Sequence, residues 1–417
     1  MAIPSTSPLT PPHWHAAAAA AASTPGLRTI RPSPPDLSGT ETERSYFHDF
    51  RRAAEAGLSQ HVAHQTSFWT YTIPHLTLHS HAVRHATLAL GAALRTYHLG
   101  AAAPPEAEVF TLDRYGTAMT LLRAADRDKE GVTATTLVCC LVFVVVEALR
   151  GNWDDALRHL RAGLAIIDSA VPSSELRTLA EPRGVVSGLG LAGELDYVVR
   201  TFAALETSAC LFRKDFRPVI ALKVLRAETA AGEFKDLGEA HRAVAQFRRD
   251  VCATAWAWRT GGEAGWEEVE ARGLQLEGRL RRFREGNALE GPAGVSLGMD
   301  VLHFCCCRQL ARRLSAQHPS RPGSPGSHGD EDAYEEILRL AESVKRSIAA
   351  IPFEAHGRGF MLEIGIVAPV HFAARSCNEA HTRERALGIL KGWDRRENFW
   401  DGPEVRALLR TEGEGGG

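Results

Sequence analysis

Cysteine is missing from the first third of the sequence. None precedes Cys139, and the eight present (Cys139, Cys140, Cys210, Cys252, Cys305, Cys306, Cys307 and Cys377) never form a C-x-x-C pair. That excludes a disulfide framework, and their apolar surroundings cast them as small hydrophobes in a reducing compartment. An excess of either charge is also missing, with 48 Lys and Arg against 50 Asp and Glu, a net charge of -2. Autonomous nucleic-acid binding draws on a cationic surplus, so the balance speaks against direct DNA contact. The N-terminus lacks the basic start and apolar segment of a signal peptide. The longest apolar run, Leu137 to Val146, is about half of the ~20 residues that a membrane span needs. These absences predict a soluble intracellular protein.

What is present is helical patterning. The 417 residues are 44% hydrophobic and 24% charged, the composition of a globular chain able to build a large core. Residues 1–40 carry eight prolines and the run Ala16 to Ala22, which predicts a disordered leader. A Pro/Gly/Ser-rich loop is expected over 315–332 and a disordered tail over 411–417. The segment 41–410 is then one helical domain, interrupted by that loop.

Within it, Thr40 and Glu43 make a capping-box pattern, and Tyr46, Phe47, Phe50 and Ala54 follow at helical spacing. Val83, Ala86, Leu90, Ala93, Leu94 and Tyr97 form a second stripe, stopped by Gly100; Leu112, Tyr115, Ala118, Leu122 and Ala125 form a third. Thr135 to Leu149 is apolar on almost every face, the mark of a helix buried among helices. The β-branched run Val144 to Val146 would also suit a strand, but the pattern continues to Leu149 before Gly151 stops it. Trp153, Leu157, Leu160, Leu164 and Ile167 then start a second helix, making an αα-hairpin. Further helices are predicted over 195–212, 237–258, 266–283, 298–314, 333–351, 360–377 and 382–393. Strands and helices do not alternate, and the expected fold is all-α, a multi-helix array of packed αα-hairpins.

Three patterns could carry chemistry. Gly188-Leu189-Gly190-Leu191-Ala192-Gly193 satisfies G-x-G-x-x-G, which cradles a pyrophosphate only after a strand in a βαβ unit. Only Val185-Val186 precedes it, so a connection between helices is expected. Gly294-Val295-Ser296-Leu297-Gly298 satisfies the nucleophile-elbow pattern, but the preceding 286–292 reads as loop, which leaves Ser296 capping or preceding a helix. His303 and His371 downstream do not change this. His61, His64, His75, His79, His81 and His85 cluster, and His81 with His85 have i,i+4 spacing that suits a metal. Pro74 divides the group, no carboxylate or cysteine completes it, and the chain has 18 histidines to distribute. Cys305, Cys306 and Cys307 point about 100° apart on a helix and cannot jointly close a zinc site. No catalytic, cofactor-binding, metal or DNA-binding residue is therefore assigned, and no cofactor or enzymatic activity is expected.

A different set of residues carries a family resemblance. It begins at Tyr46-Phe47, continues through Phe68-Trp69, Ile73-Pro74, Val83-Arg84-His85-Ala86, Leu88-Ala89-Leu90-Gly91, Tyr115 and Ala118. It then takes in Leu137, Cys140, Phe143, Glu147, Gly151, Ala156, His159-Leu160 and Gly163-Leu164, with a weaker stretch from Phe202 to Phe212. Gly365-Ile366, Pro369, Cys377, Arg383, Arg385-Ala386-Leu387, Leu390 and Trp400 complete it. In order and spacing these resemble the regulatory domain that follows the binuclear zinc cluster in fungal transcription factors. The resemblance spans most of 43–405 and implies an all-α fold, a nuclear location and a role in transcriptional control. It implies partners among other transcription factors or co-regulators, in a homo- or heterodimer, or effector sensing. The chain departs from the family in one respect: six N-terminal cysteines would hold the zinc cluster, and no cysteine precedes Cys139.

The expected function is that of a transcription-regulator-like protein acting through partners without its own zinc cluster. Two other functions fit the same residues. One is a truncated zinc-cluster factor, or a gene model lacking its DNA-binding exon. The other is a helical small-molecule-binding scaffold or enzyme, since bundles build pockets between facing helices.

Overall fold

The computed structural model describes residues 37–56, 58, 68–125, 131–177, 194–226, 232–262, 265–287, 289–317, 328–349, 359–377 and 379–414. Of the disordered leader expected over 1–40, residues 1–36 lie outside them, as do the glycine motif at 188–193 and the histidines at 61 and 64; residues 37–40 are ordered instead, with Leu37 buried in the core.

The capping box at Thr40 forms as its sequence requires. Thr40 N–H donates to Glu43 Oε2 and Glu43 N–H to Thr40 Oγ1, both at 3.2 Å. It opens helix α1 (Glu41–Ala56), whose Tyr46, Phe47, Phe50 and Ala54 are buried. A π-helical turn (Phe68–Thr72) leads into α2 (Ile73–His79), and Ser80 ends it and caps α3 (His81–Leu99) by accepting from Val83 N–H. Helix α3 is buried continuously from Ala86 to Leu94, and α1 crosses it closely enough that a Cβ at Gly91 would lie 2.0 Å from the Tyr46 carbonyl oxygen. Gly100 turns the chain with φ +55°, and α4 (Pro105–Ala124) packs on α3. Its fully buried residues are Ala107, Thr111 and Ala118; of the stripe expected from Leu112, Ala118 is buried and Tyr115 and Leu122 pack half-buried against the core. Leu112 and Val109 point outward, and Ala125 lies past the helix end, because α4 has apolar residues on two faces and only packing selects one.

Helix α5 (Val132–Arg150) is the hydrophobic centre, buried from Leu137 through Leu149. By length and composition alone it is long and apolar enough to cross a membrane, a property shared with the core helices of soluble proteins. Its apolar surface is instead covered by other helices. Gly151, at φ +77°, closes it, and α6 (Trp153–Ala170) completes the αα-hairpin. A short α7 (Ser173–Arg177) follows, then α8 (Glu194–Phe212), whose Phe202 ring would sit 2.2 Å from a Cβ at Gly163 of α6. The one-turn α9 (Ile220–Lys223) is capped by Glu206, which accepts from the N–H groups of Val219, Ile220 and Ala221.

The second half stacks α10 (Leu237–Arg259), α11 (Trp266–Gly286), α12 (Gly291–Ala316) and α13 (His328–Ala349), with α12 packed on α10, α11 and α13. Both helices flanking the 315–332 loop run into it, α12 to Ala316 and α13 from His328. A strand rather than a helix begins the next segment. β1 (Gly359–Met361) pairs in parallel with β2 (Arg395–Glu397), which pairs antiparallel with β3 (Trp400–Asp401). The helix expected over 360–377 is confined to α14 (Val367–Ser376), and α15 (Ala380–Leu390) follows. The final helix, α16 (Gly402–Glu414), passes the domain end expected at 410.

The small sheet is what the helical periodicity could not foresee, and it fastens the two ends together. Arg396 on β2 donates to Asp401 Oδ2 at 2.9 Å and to the carbonyls of Ala148 and Leu149, at 2.7 and 3.1 Å, at the end of α5. Its guanidinium lies 5.2 Å from the Tyr97 ring centroid and 5.0 Å from that of Trp153. Asn398, at φ +57°, turns the chain and donates its N–H to Met361 O. One core runs from Leu37 to Leu409, so the fold is all-α with a three-stranded clasp.

Candidate ligand cleft

The chemically suggestive motifs do not assemble a reactive centre among the described residues. Ser296 is buried in the second turn of α12, which starts at Gly291, so it neither caps nor precedes that helix. Gly294 is required there for another reason: its Cβ would lie 2.5 Å from the Leu289 carbonyl oxygen. His75 and His79 stack beside Tyr71 on α2, with ring centroids 4.8 Å apart, while His81 and His85 belong to α3 beyond the Ser80 break. Among the described residues no three His, Cys, Asp or Glu side chains converge as metal ligands do. Cys306 and Cys307 are buried, and burial pushes the Cys307 thiol up to about 12, so these sulfurs are packing groups.

Two polar pairs were not foreseen. The Tyr115 hydroxyl bonds to His159 Nε2 between α4 and α6, and burial lowers the His159 pKa. His241 Nδ1–H donates to Asp300 Oδ1 at 2.9 Å between α10 and α12. The Asp300 carboxylate raises the pKa of His241. His303 is taken up by a bond to Gly365 O at 2.9 Å, and His371, pushed down to about 4 by burial, packs 5.1 Å from Trp400. Each pair ties two helices together.

A cavity of ligand size lies elsewhere, between α10 and α11. It holds about 450 Å³, within the range of small-molecule sites. Ala243 and Phe247 of α10 and Leu276 of α11 form an apolar floor, and Gly232 closes one side. Arg272, Gln275, Arg279 and Arg282 line it from α11. Their spacing of 3, 4 and 3 residues puts all four on one helical face. The same helix makes room for them. Gly278 also lines the cavity, and at Gly273 a Cβ would stand 3.2 Å from the tip of Phe247. A smaller cavity of about 70 Å³ lies across Phe247, bounded by Val269, Arg308 and Ala311. Phe247 and Leu274 line both spaces.

The three guanidiniums differ in how they are answered. Arg272 reaches buried Asp250 at 3.2 Å, and Arg282 reaches Glu233 at 2.6 Å. Arg279 has no carboxylate partner among the described residues; its guanidinium lies 4.0 Å over the Phe234 ring, and its Nε finds no acceptor there. Burial lowers its pKa, with Glu239 and Glu233 opposing at longer range. Arg242, the neighbour of Ala243, likewise has a buried Nη2 without a partner among the described residues, and burial lowers its pKa. Arginine does not exchange protons near neutrality, so these side chains could hold an anion but would not act as proton donors or acceptors.

The sequence reading missed these residues because the whole-chain charge is balanced. The signal was local, in the stretch Arg272-Gly273-Leu274-Gln275-Leu276-Glu277-Gly278-Arg279-Leu280-Arg281-Arg282, where arginines recur on one face beside two glycines. No protein-family model, curated protein or solved structure matches this chain.

Proposed function

We propose that this protein is a transcription-regulator-like helical domain, resembling the regulatory domain of fungal zinc-cluster factors, that acts through protein partners in the nucleus and not through catalysis or DNA contacts of its own. One observation carries the reading: residues singled out by the resemblance meet in pairs although they are far apart in sequence. Tyr46 lies against Gly91, Tyr115 bonds to His159, and Phe202 fills the space left by Gly163. Such pairs tie distant helices into one packed fold, because a change on one side would clash with or orphan the other. None of these pairs forms a reactive centre, which supports a binding and signalling role. The near-zero net charge supports partners other than a nucleic acid.

A tethering experiment tests the proposal. Fused to a heterologous DNA-binding domain at a reporter promoter, the chain is expected to raise or lower transcription. The isolated chain is expected to leave duplex DNA unshifted. Full occupancy of the promoter with no transcriptional change, or tight sequence-selective duplex binding by the chain alone, would overturn it.

A further inference from the structure

We propose that the cleft between α10 and α11 binds a small organic acid, with its carboxylate held by Arg279 and its apolar body resting on Phe247, Ala243 and Leu276. As the effector site of a regulator this rests on the function proposed above; the binding itself does not.

The case begins with charge. Of the three arginines in the cleft, two face protein carboxylates at 3.2 and 2.6 Å, and the third faces an aromatic ring and a cavity. A guanidinium partly withdrawn from water and left without an anion is an unfavourable arrangement that a ligand carboxylate relieves. The planar fork of Arg matches a carboxylate with two parallel N–H bonds, and such charge-assisted pairs are the stronger class of hydrogen bond. Phe234 beneath the guanidinium restricts its plane, so the fork is partly oriented before a ligand arrives.

Size and lining select the rest of the ligand. A simple inorganic anion fills little of 450 Å³, whereas an acid with an aryl or branched alkyl body covers the floor. Glu239 and Glu233 stand near Arg279 on the protein side, and each is occupied. Glu239 accepts the Lys235 N–H at 2.9 Å, and Glu233 pairs with Arg282. They disfavour a multiply charged ligand, which would meet their field while Arg272 and Arg282 of the lining already face carboxylates. A monocarboxylate is the best match in charge, and Gln275 on the same face offers an amide for a second polar group.

Phe247 links occupancy to the rest of the fold. Its ring packs 5.3 Å from Phe304 of α12 and borders the smaller cavity across from the cleft. A ligand body resting on the ring would therefore bear on the α10–α12 packing through Phe304.

The test is calorimetric titration of the full chain with 3-phenylpropanoate, its uncharged amide and inorganic phosphate. The carboxylate is expected to bind in the millimolar range or tighter, and the amide and phosphate at least about tenfold more weakly. Arg279→Gln is expected to weaken the carboxylate about tenfold or more while its thermal unfolding stays unchanged. Arg281→Gln, a change outside the cleft lining, is expected to bind as the parent does. Equal binding of acid and amide, binding of phosphate alone, no heat with the carboxylate, or an Arg279→Gln chain that binds unchanged would each overturn the proposal. The reporter activity of Arg279→Gln without added acid separates the two hypotheses. Loss of ligand binding with tethered activity intact leaves the partner-based role standing, and inactivity of the parent chain with binding intact leaves the cleft standing.

Discussion

Arg396 in the clasp and Arg279 in the cleft are both guanidiniums drawn toward the interior, yet the protein treats them oppositely. Arg396 meets a carboxylate, two carbonyls and two aromatic faces, and it joins β2 to the end of α5. Arg279 meets one aromatic face and a cavity. The same side chain is a structural fastening where its donors are satisfied and a binding group where they are not. Satisfaction, more than burial, separates the two uses.

The sharpest way to break this comparison is to remove each arginine. Arg396→Ala strands Asp401 and two helix-terminal carbonyls, and is expected to cost about 3–5 kcal/mol in urea unfolding. Arg279→Ala is expected to change stability by no more than about 0.5 kcal/mol. Equal costs would erase the distinction between fastening and site.

A second test concerns Glu397, the neighbour of Arg396. It accepts from Val367 N–H at 2.7 Å and Trp393 Nε1–H at 2.8 Å, yet burial pushes its pKa up to about 7 from 4.5. The folded chain holds that proton more tightly than the unfolded chain. Its contribution is therefore complete at the acid end and is lost as pH rises through about 7. Relative to Glu397→Gln, the parent is expected to lose up to about 3 kcal/mol between roughly pH 4.5 and 7, measured by denaturant titration at each pH. His371 works in the other sense: its pKa is depressed to about 4, so it withdraws stability as pH falls below its ordinary 6.5. The variant difference isolates Glu397 from it. Parallel pH curves for the two chains would show that no proton is held there.

The smallest effect separates packed space from cleft space. At Gly163 an added Cβ would lie 2.2 Å from the fully buried Phe202 ring, whereas at Gly273 it would lie 3.2 Å from a Phe247 ring bordered by cavities. Gly163→Ala is expected to lower stability by about 1–3 kcal/mol. Gly273→Ala is expected to cost less than about 1 kcal/mol, because the ring can yield and alanine favours the helix. Similar losses on thermal unfolding would mean that Phe247 is as fixed as Phe202.

Much of the architecture was legible beforehand, and the failures have physical causes. The capping box at Thr40, the buried α5 and the hairpin through Gly151 are local devices, written in residues within a few turns of one another. The α4 face was legible in part: Tyr115, Ala118 and Leu122 turn to the core as expected, but Val109, Leu112 and Leu121 give that helix a second apolar side, and only its neighbours decide which is covered. Met361 and Glu397 pair across 36 positions, and three-residue strands carry too little alternation to announce themselves. Of the candidate cleft, the arginine spacing on α11 was visible, but the opposing Phe247 and the lack of a carboxylate for Arg279 were not.

By itself the sequence determined that the chain would fold as helices, where most of them begin and end, and that its charges would balance overall, because capping, periodicity and composition act at short range or in sum. Tertiary structure alone decided which guanidinium would be answered and which would face a cavity. A side chain's partners depend on segments that approach through space, and no spacing along the chain fixes that approach.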